Sequence, residues 1–260
     1  MSRKLKKIGV SLLVTLFWLM VWQLLSMAVH QQLLLPSPLD VAEVLIRLIG
    51  TGGFWQAVGL SLLRVLAGFA FALLGGVLFA ALTRSSRLFD RVFSPILRLV
   101  RTVPVASFII LALVWIQTEW LPVFVVFLMV VPIVWENLRA GLDQIDPRLL
   151  EMARVYQLSR RQVWKVILLP SVLPYFLSAF TTGLGFAWKS AVAAEVICKP
   201  VLSIGRRLQD AKVYLETPEL FAWTVTIVVL SLTLEKLLVC LIRKIQKQPT
   251  SQEVPHADSI

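Results

Sequence analysis

Six stretches of the chain carry no Asp, Glu, Lys or Arg: Ile8 to Leu39, Val65 to Thr83, Thr102 to Thr118, Trp120 to Trp135, Val166 to Trp188 and Leu220 to Leu234. A helix crosses the hydrocarbon core of a bilayer with about 17 to 25 mostly apolar residues, so runs of this length restrict the fold to an all-α integral membrane protein. The fourth and sixth runs are short and must borrow flanking residues. Six transmembrane helices are expected, over about 8–29, 60–82, 100–117, 120–136, 171–197 and 218–241, in one domain spanning 1–247. Composition agrees, since 58% hydrophobic and 16% charged residues exceed what one soluble core of 260 residues would bury. The apolar run after "MSRKLKK" is too long for a cleavable signal peptide and lacks a small-residue cleavage site, so it reads as an uncleaved first span.

The formal charge of +11 would suggest nucleic acid in a soluble protein. In a membrane protein it is read through topology, because Lys and Arg accumulate in cytoplasmic loops. With both termini inside, most of the basic residues fall inside: Arg3 to Lys7, Arg84 to Arg101, Arg139 to Lys165 and Arg243 to Lys247. Few remain outside, among them Arg47, Lys199, Arg206, Arg207 and Lys212. Cys198 and Cys240 then lie at opposite ends of neighbouring spans, about 30 Å apart, too far for a disulfide.

Outside, "LLLPSPLDVAEVLIRLIG" ends the first span with two prolines and continues as a short helix at the outer interface, with Val41, Val44, Leu45, Leu48 and Ile49 as its apolar side. Pro218 stands at the start of the last span. The tail over 248–260 is polar, carries two prolines and is expected to be disordered.

Between the fourth and fifth spans, "DPRLLEMARVYQLSRRQVWKVILLP" has the form of two helices around a turn. Asp146 caps the first and Pro147 opens it without losing a hydrogen bond. Leu149, Leu150, Ala153 and Tyr156 form its apolar side, and Glu151 and Arg154 have ion-pair spacing. Ser159 with Gln162 forms a capping box for the second helix, which turns Val163, Val166 and Ile167 inward and continues into the fifth span. A DNA reader needs its second helix free to enter the major groove, and this one is tied to the membrane. A basic loop resting on anionic lipid is the simpler alternative, but two capped helices suit a protein partner better.

Glu151, Met152, Ala153, Ser159 and Leu169-Pro170 resemble the EAA loop of ATP-binding-cassette (ABC) importer permeases, with Met152 at the first Ala position and Gln157 at the Gly position. "LLPSP" at Leu34 to Pro38, "RTVPVASF" at Arg101 to Phe108, "AWKSAVAAE" at Ala187 to Glu195 and "SIGRRLQDAK" resemble the nitrate, sulfonate and taurine branch of those permeases. The resemblance implies a type I importer-like permease with a cytoplasmic coupling hairpin at about 146–170, in a bacterial inner membrane. It further implies a second permease chain, a cytoplasmic ABC ATPase dimer and an extracytoplasmic substrate-binding protein as partners. The chain itself would need no cofactor and would not be an enzyme. No phosphate-binding loop ending in Gly-Lys-Ser/Thr occurs in it, which leaves ATP to the partner.

Ionisable residues inside spans are costly and default to functional candidates. Arg64 can snorkel to the outer interface or line a pathway. Lys189 beside Trp188 lines the pathway of an anion or forms an interhelical ion pair. Glu195 reads as a structural partner or a gate element. Thr181 and Thr182, with Gly183 and Gly185, serve helix packing or a weakly polar pathway. The substrate expected from the branch is a small anion such as a sulfonate, taurine or nitrate, with a pyrimidine-type vitamin precursor as the alternative. A self-contained secondary transporter or channel is the rival reading, but no inverted repeat or series of buried charges supports it.

Overall fold

The computed structural model describes residues 2–29, 31 and 33–246, and every regular element in them is helical. Eleven helices follow in order: α1 (Ser2–Val29), α2 (Pro38–Ile49), α3 (Gly52–Ser85), α4 (Arg87–Thr102), α5 (Val105–Ala112), α6 (Leu121–Asp143), α7 (Pro147–Val155), α8 (Arg160–Val163), α9 (Leu169–Cys198), α10 (Ile204–Val213) and α11 (Thr217–Gln246). The tail over 248–260, His30 and His256 lie outside the described residues.

α6 is the centre of the bundle, packed along α3 on one side and α9 on the other. Small residues make these contacts close. A Cβ on Gly68 would stand 2.7 Å from the Val126 Cβ, and one on Gly76 would stand 2.5 Å from the Val134 Cβ. The two glycines and the two valines are both eight residues apart, so one stripe of α3 meets one stripe of α6. On the other side of α6, Gly141 receives the Tyr175 ring of α9, which a Cβ would meet at 2.9 Å. Val126, Val130 and Val134 are fully buried between these neighbours.

α1 lies at the edge of the bundle with most of its apolar side chains exposed. Trp22 holds it there: its ring packs against Phe221 of α11, and its indole N–H donates to the Pro36 carbonyl at 3.1 Å. α2 is opened by a capping box, in which Ser37 accepts from the Asp40 N–H and the Asp40 carboxylate accepts from the Ser37 N–H.

Four helices within the described residues are long and apolar enough to cross a membrane: Gly52–Ser85, Leu121–Asp143, Arg160–Cys198 and Thr217–Leu237. α1 contributes the shorter apolar stretch Leu13–Val29. The expected span over 100–117 takes another form. α4 and α5 meet there at a bend of 106°, and α5 has only eight residues. Pro104 has no N–H to donate and forces the residue before it out of the helical region; Val103 accordingly sits at φ −81°, ψ 133°. The uncharged run conceals this break because hydropathy carries no information about backbone direction. α3 and α6 also run beyond their expected limits, with polar ends anchored by ion pairs between Arg84 and Asp143, Arg101 and Glu136, and Arg139 and Asp90.

Candidate functional site: a capped hairpin, a buried ion network and a polar cavity

The chain leaving α6 forms the hairpin of α7 and α8. Asp146 caps α7, its carboxylate accepting from the Arg148 N–H at 2.9 Å. The far end of α7 is closed by two backbone bonds, Gln157 N–H to the Arg154 carbonyl at 3.0 Å and Leu158 N–H to the Ala153 carbonyl at 2.9 Å. This is the Schellman arrangement, which requires a left-handed residue between them. Gln157 supplies it at φ 50°. Ser159 and Gln162 then form a capping box for α8.

From α8 the chain continues as one helical rod, Arg160–Cys198, through a single π-helical turn at Trp164–Leu168. The wider turn has a local cause: Pro170 cannot donate to the carbonyl four residues back and would crowd it. Leu169 instead donates five residues back, to Trp164. Within the hairpin Ala153 is buried at 3% exposure, whereas Val155 and Tyr156 are 79% and 72% exposed and Met152, Trp164 and Leu169 are exposed too. Ile167 turns inward as expected, but Val166 is exposed, because the π turn rotates it away from the bundle. Glu151 and Arg154 form no ion pair with each other among the described residues.

At the opposite end of α9 lies a network that binds four segments together. The Arg64 guanidinium contacts Glu119 at 2.6 Å and Glu195 at 3.5 Å, and donates to the Val201 carbonyl at 3.1 Å. Glu195, only 1% exposed, accepts from the Ser61 hydroxyl at 2.8 Å and the Gly205 N–H at 3.2 Å. The Ser61 oxygen accepts from the Ile204 N–H at 3.0 Å, and Glu119 accepts from the Val201 N–H at 2.7 Å. The Glu195 carboxylate therefore sits at the first turn of α10, where free N–H groups favour an anion. Arg64 is the counter-charge for two carboxylates.

Between α9 and α11 is a cavity of about 300 Å³, lined by Thr181, Thr182, Trp188, Lys189, Ser231 and Glu235 among others. The Trp188 indole N–H is buried and has no hydrogen-bond partner.

These features have counterparts in known proteins. Residues 72–248 match the family described as the binding-protein-dependent transport system inner membrane component. The chain belongs to this family. It is similar to the nitrate import permease protein of Synechocystis sp., with 32% identity over 203 residues, 74% of this chain and 73% of that protein. It is also similar to the taurine transport system permease protein of Escherichia coli, with 28% identity over 220 residues, 82% of this chain and 80% of that protein. A bicarbonate transport system permease of Synechocystis sp. is 30% identical over 205 residues, 75% of this chain and 73% of that protein. Among solved structures, an amino acid ABC transporter crystallised with histidines shares the fold at a TM-score of 0.60 and 20% identity, over 71% of this chain and 90% of that one. The inward-facing MetNI methionine ABC transporter does so at 0.57 and 17%, over 74% and 94%.

Within this permease, the six residues singled out as pathway candidates separate into two places. Thr181, Thr182, Trp188 and Lys189 line the cavity together. Arg64 and Glu195 belong to the ion network instead. Sequence reasoning missed Ser61, Glu119, Gly205, Ser231 and Glu235. Glu119 carried a signal, as the single charge separating two uncharged runs, and Glu235 ends the last of those runs. Ser61 and Gly205 carried none, because their roles depend on which helices meet.

Proposed function

We propose that this permease forms half of the translocation pathway of an ATP-driven importer for a small anion, and that the α7–α8 hairpin is its socket for a cytoplasmic ATPase. In this reading the chain crosses the membrane six times, with the bent α4–α5 pair as one crossing. Both termini and the hairpin lie on the ATPase side, and a second permease chain completes the pathway. Substrate arrives from an extracytoplasmic binding protein. The relatives named for nitrate, bicarbonate and taurine support the anion class.

The observation that carries the reading is the hairpin's exposed apolar face. Met152, Val155 and Tyr156 are held out from a helix that is capped at both ends and joined to the α9 rod. A capped helix is a rigid knob, and a continuous helix passes its displacement along its length. Closure of the ATPases on ATP would move the hairpin, and α9 would carry that movement to the cavity and the ion network.

The test is ATP-driven uptake into proteoliposomes holding the permease, its ATPase and its binding protein, with Val155→Asp and Tyr156→Asp variants. Both side chains are exposed, so the fold should persist. Loss of ATPase co-purification together with loss of uptake is expected; full docking and uptake in both variants would sink the proposal.

A further inference from the structure

We propose that α4 lies in the membrane interface and binds anionic phospholipid, with Arg87, Arg91 and Arg98 on the phosphates and Leu88, Val92 and Leu99 against the acyl chains. This goes beyond the importer reading and borrows from it only the name of the leaflet, the cytoplasmic one.

The direction of α4 is the first observation. Asp90 pairs with Arg139, and Arg101 with Glu136. On α4 the two residues are eleven positions apart, about 16 Å along a helix, whereas on α6 their partners are three positions apart, about 5 Å. α4 therefore runs across α6, near the end that leads into the hairpin, and the bend of 106° then turns the chain into α5. α5 and the turns after it make the crossing, reaching Glu119 beside the start of α6.

The surface of α4 is divided accordingly. One side is spent on the bundle, where Ser94 and Leu97 are buried and Phe89 and Phe93 pack on Phe79 of α3. On the free side Leu88, Val92, Ile96 and Leu99 form an apolar stripe, 74%, 50%, 50% and 61% exposed. Arg87, Arg91 and Arg98 each precede a member of that stripe by one residue, so they form a second stripe about 100° round the helix. All three are exposed, and none has an ion-pair partner among the described residues, whereas Arg84, Arg101 and Arg139 each have one.

A helix of this kind sinks its apolar stripe among acyl chains and leaves its basic edge at the level of the headgroups. Every cation of α4 is arginine, whose planar fork meets two phosphate oxygens at once and is more weakly hydrated than an ammonium group. A free anion would answer the arginines but leave the apolar stripe without a partner. A second copy meeting this face by two-fold symmetry would set the same three arginines against one another.

Native mass spectrometry of the full-length chain tests the proposal, with the chain released from micelles holding equal amounts of phosphatidylglycerol and phosphatidylcholine of the same acyl chains. One basic residue at an anionic surface favours it by about fivefold, so three should give a preference for phosphatidylglycerol of at least about tenfold. Replacing Arg87, Arg91 and Arg98 together by Gln should bring phosphatidylglycerol down to the phosphatidylcholine level, and replacing them by Lys should keep part of the preference. Replacing Arg160, Arg161 and Lys165 of the hairpin region by Gln removes the same charge elsewhere and should leave the preference in place. Glycerol phosphate, the soluble headgroup, should not displace the bound lipid.

A wild-type chain without preference overturns the proposal before any variant has to fold. So does a preference that survives the α4 Gln variant, that falls equally in the hairpin variant, or that glycerol phosphate abolishes. An α4 Gln variant that keeps its lipid preference but loses the ATPase or a second copy on co-purification would assign the stripe to a protein instead. Because the preference is read on the chain alone, the importer reading fails separately, on uptake that needs no ATPase.

Discussion

Glu195 and Gly205 touch so closely that a Cβ on Gly205 would lie 2.4 Å from the Cβ of Glu195 and 2.6 Å from its backbone carbon. The contact seats the first turn of α10 on the last turns of α9 and brings the Gly205 N–H to the Glu195 carboxylate. Because the opposing atoms belong to a helix backbone, they cannot turn aside. Gly205→Ala should therefore cost about 1–3 kcal/mol, as overpacking of a close contact does. A lower midpoint in SDS or thermal unfolding of the purified permease would show it, and an unchanged midpoint would mean that α10 rides further from α9.

Arg64 neutralises a carboxylate that has almost no access to water. Taking away one partner of such a pair strands the other, at a cost of about 3 kcal/mol, the lower end of the usual range because Glu119 is partly exposed. Arg64→Met should thus be strongly destabilising, whereas Arg64→Met combined with Glu195→Gln should be less so than Arg64→Met alone, since an amide needs no counter-charge. The double-mutant cycle decides it: additive losses would show that the two residues are not coupled.

Gln157 holds a left-handed conformation that a side chain with a Cβ adopts at a penalty of about 1–2 kcal/mol. Gln157→Gly should relieve it and, after the entropy that Gly loses, stabilise the hairpin by about 1 kcal/mol. The amide of Leu158, bonded to the Ala153 carbonyl, reports on this end of α7. Its hydrogen exchange should slow in Gln157→Gly and quicken in Gln157→Val.

Two glycines on neighbouring elements should respond in opposite ways. Gly76→Val places a side chain into Val134 across the α3–α6 contact and should cost about 1–3 kcal/mol or separate the helices. Gly185→Ala meets nothing within 4 Å and replaces a poor helix former, so stability should rise by up to about 1 kcal/mol. Unfolding midpoints that moved together would refute this account of the packing.

Much of the local structure was legible because its causes are local. Asp146-Pro147 and Ser159 with Gln162 place a side-chain acceptor within three residues of the N–H it satisfies, and both caps are present. The left-handed demand at position 157 was visible too, as the place where the resembling loop has Gly. The bend at Val103-Pro104 was less legible, since a proline within an apolar run marks either a kink or a full break and only the neighbouring helices choose. The same applies to Arg64: an arginine near a span end has water available in principle, and its true partners lie 55 and 131 residues away on other elements.

The sequence by itself determined that this chain is a bundle of apolar helices with a capped hairpin, because hydropathy, charge bias and caps depend on residues close together along the chain. Tertiary structure alone decided which polar groups meet: Glu195 with Arg64 and Gly205, and Lys189 with Glu235 around one cavity. The physical reason is that a membrane helix is apolar on nearly every side, so its hydropathy does not say which face is buried. That choice falls to shape, to notches such as Gly68, Gly76 and Gly205, whose partners exist only once the helices have packed.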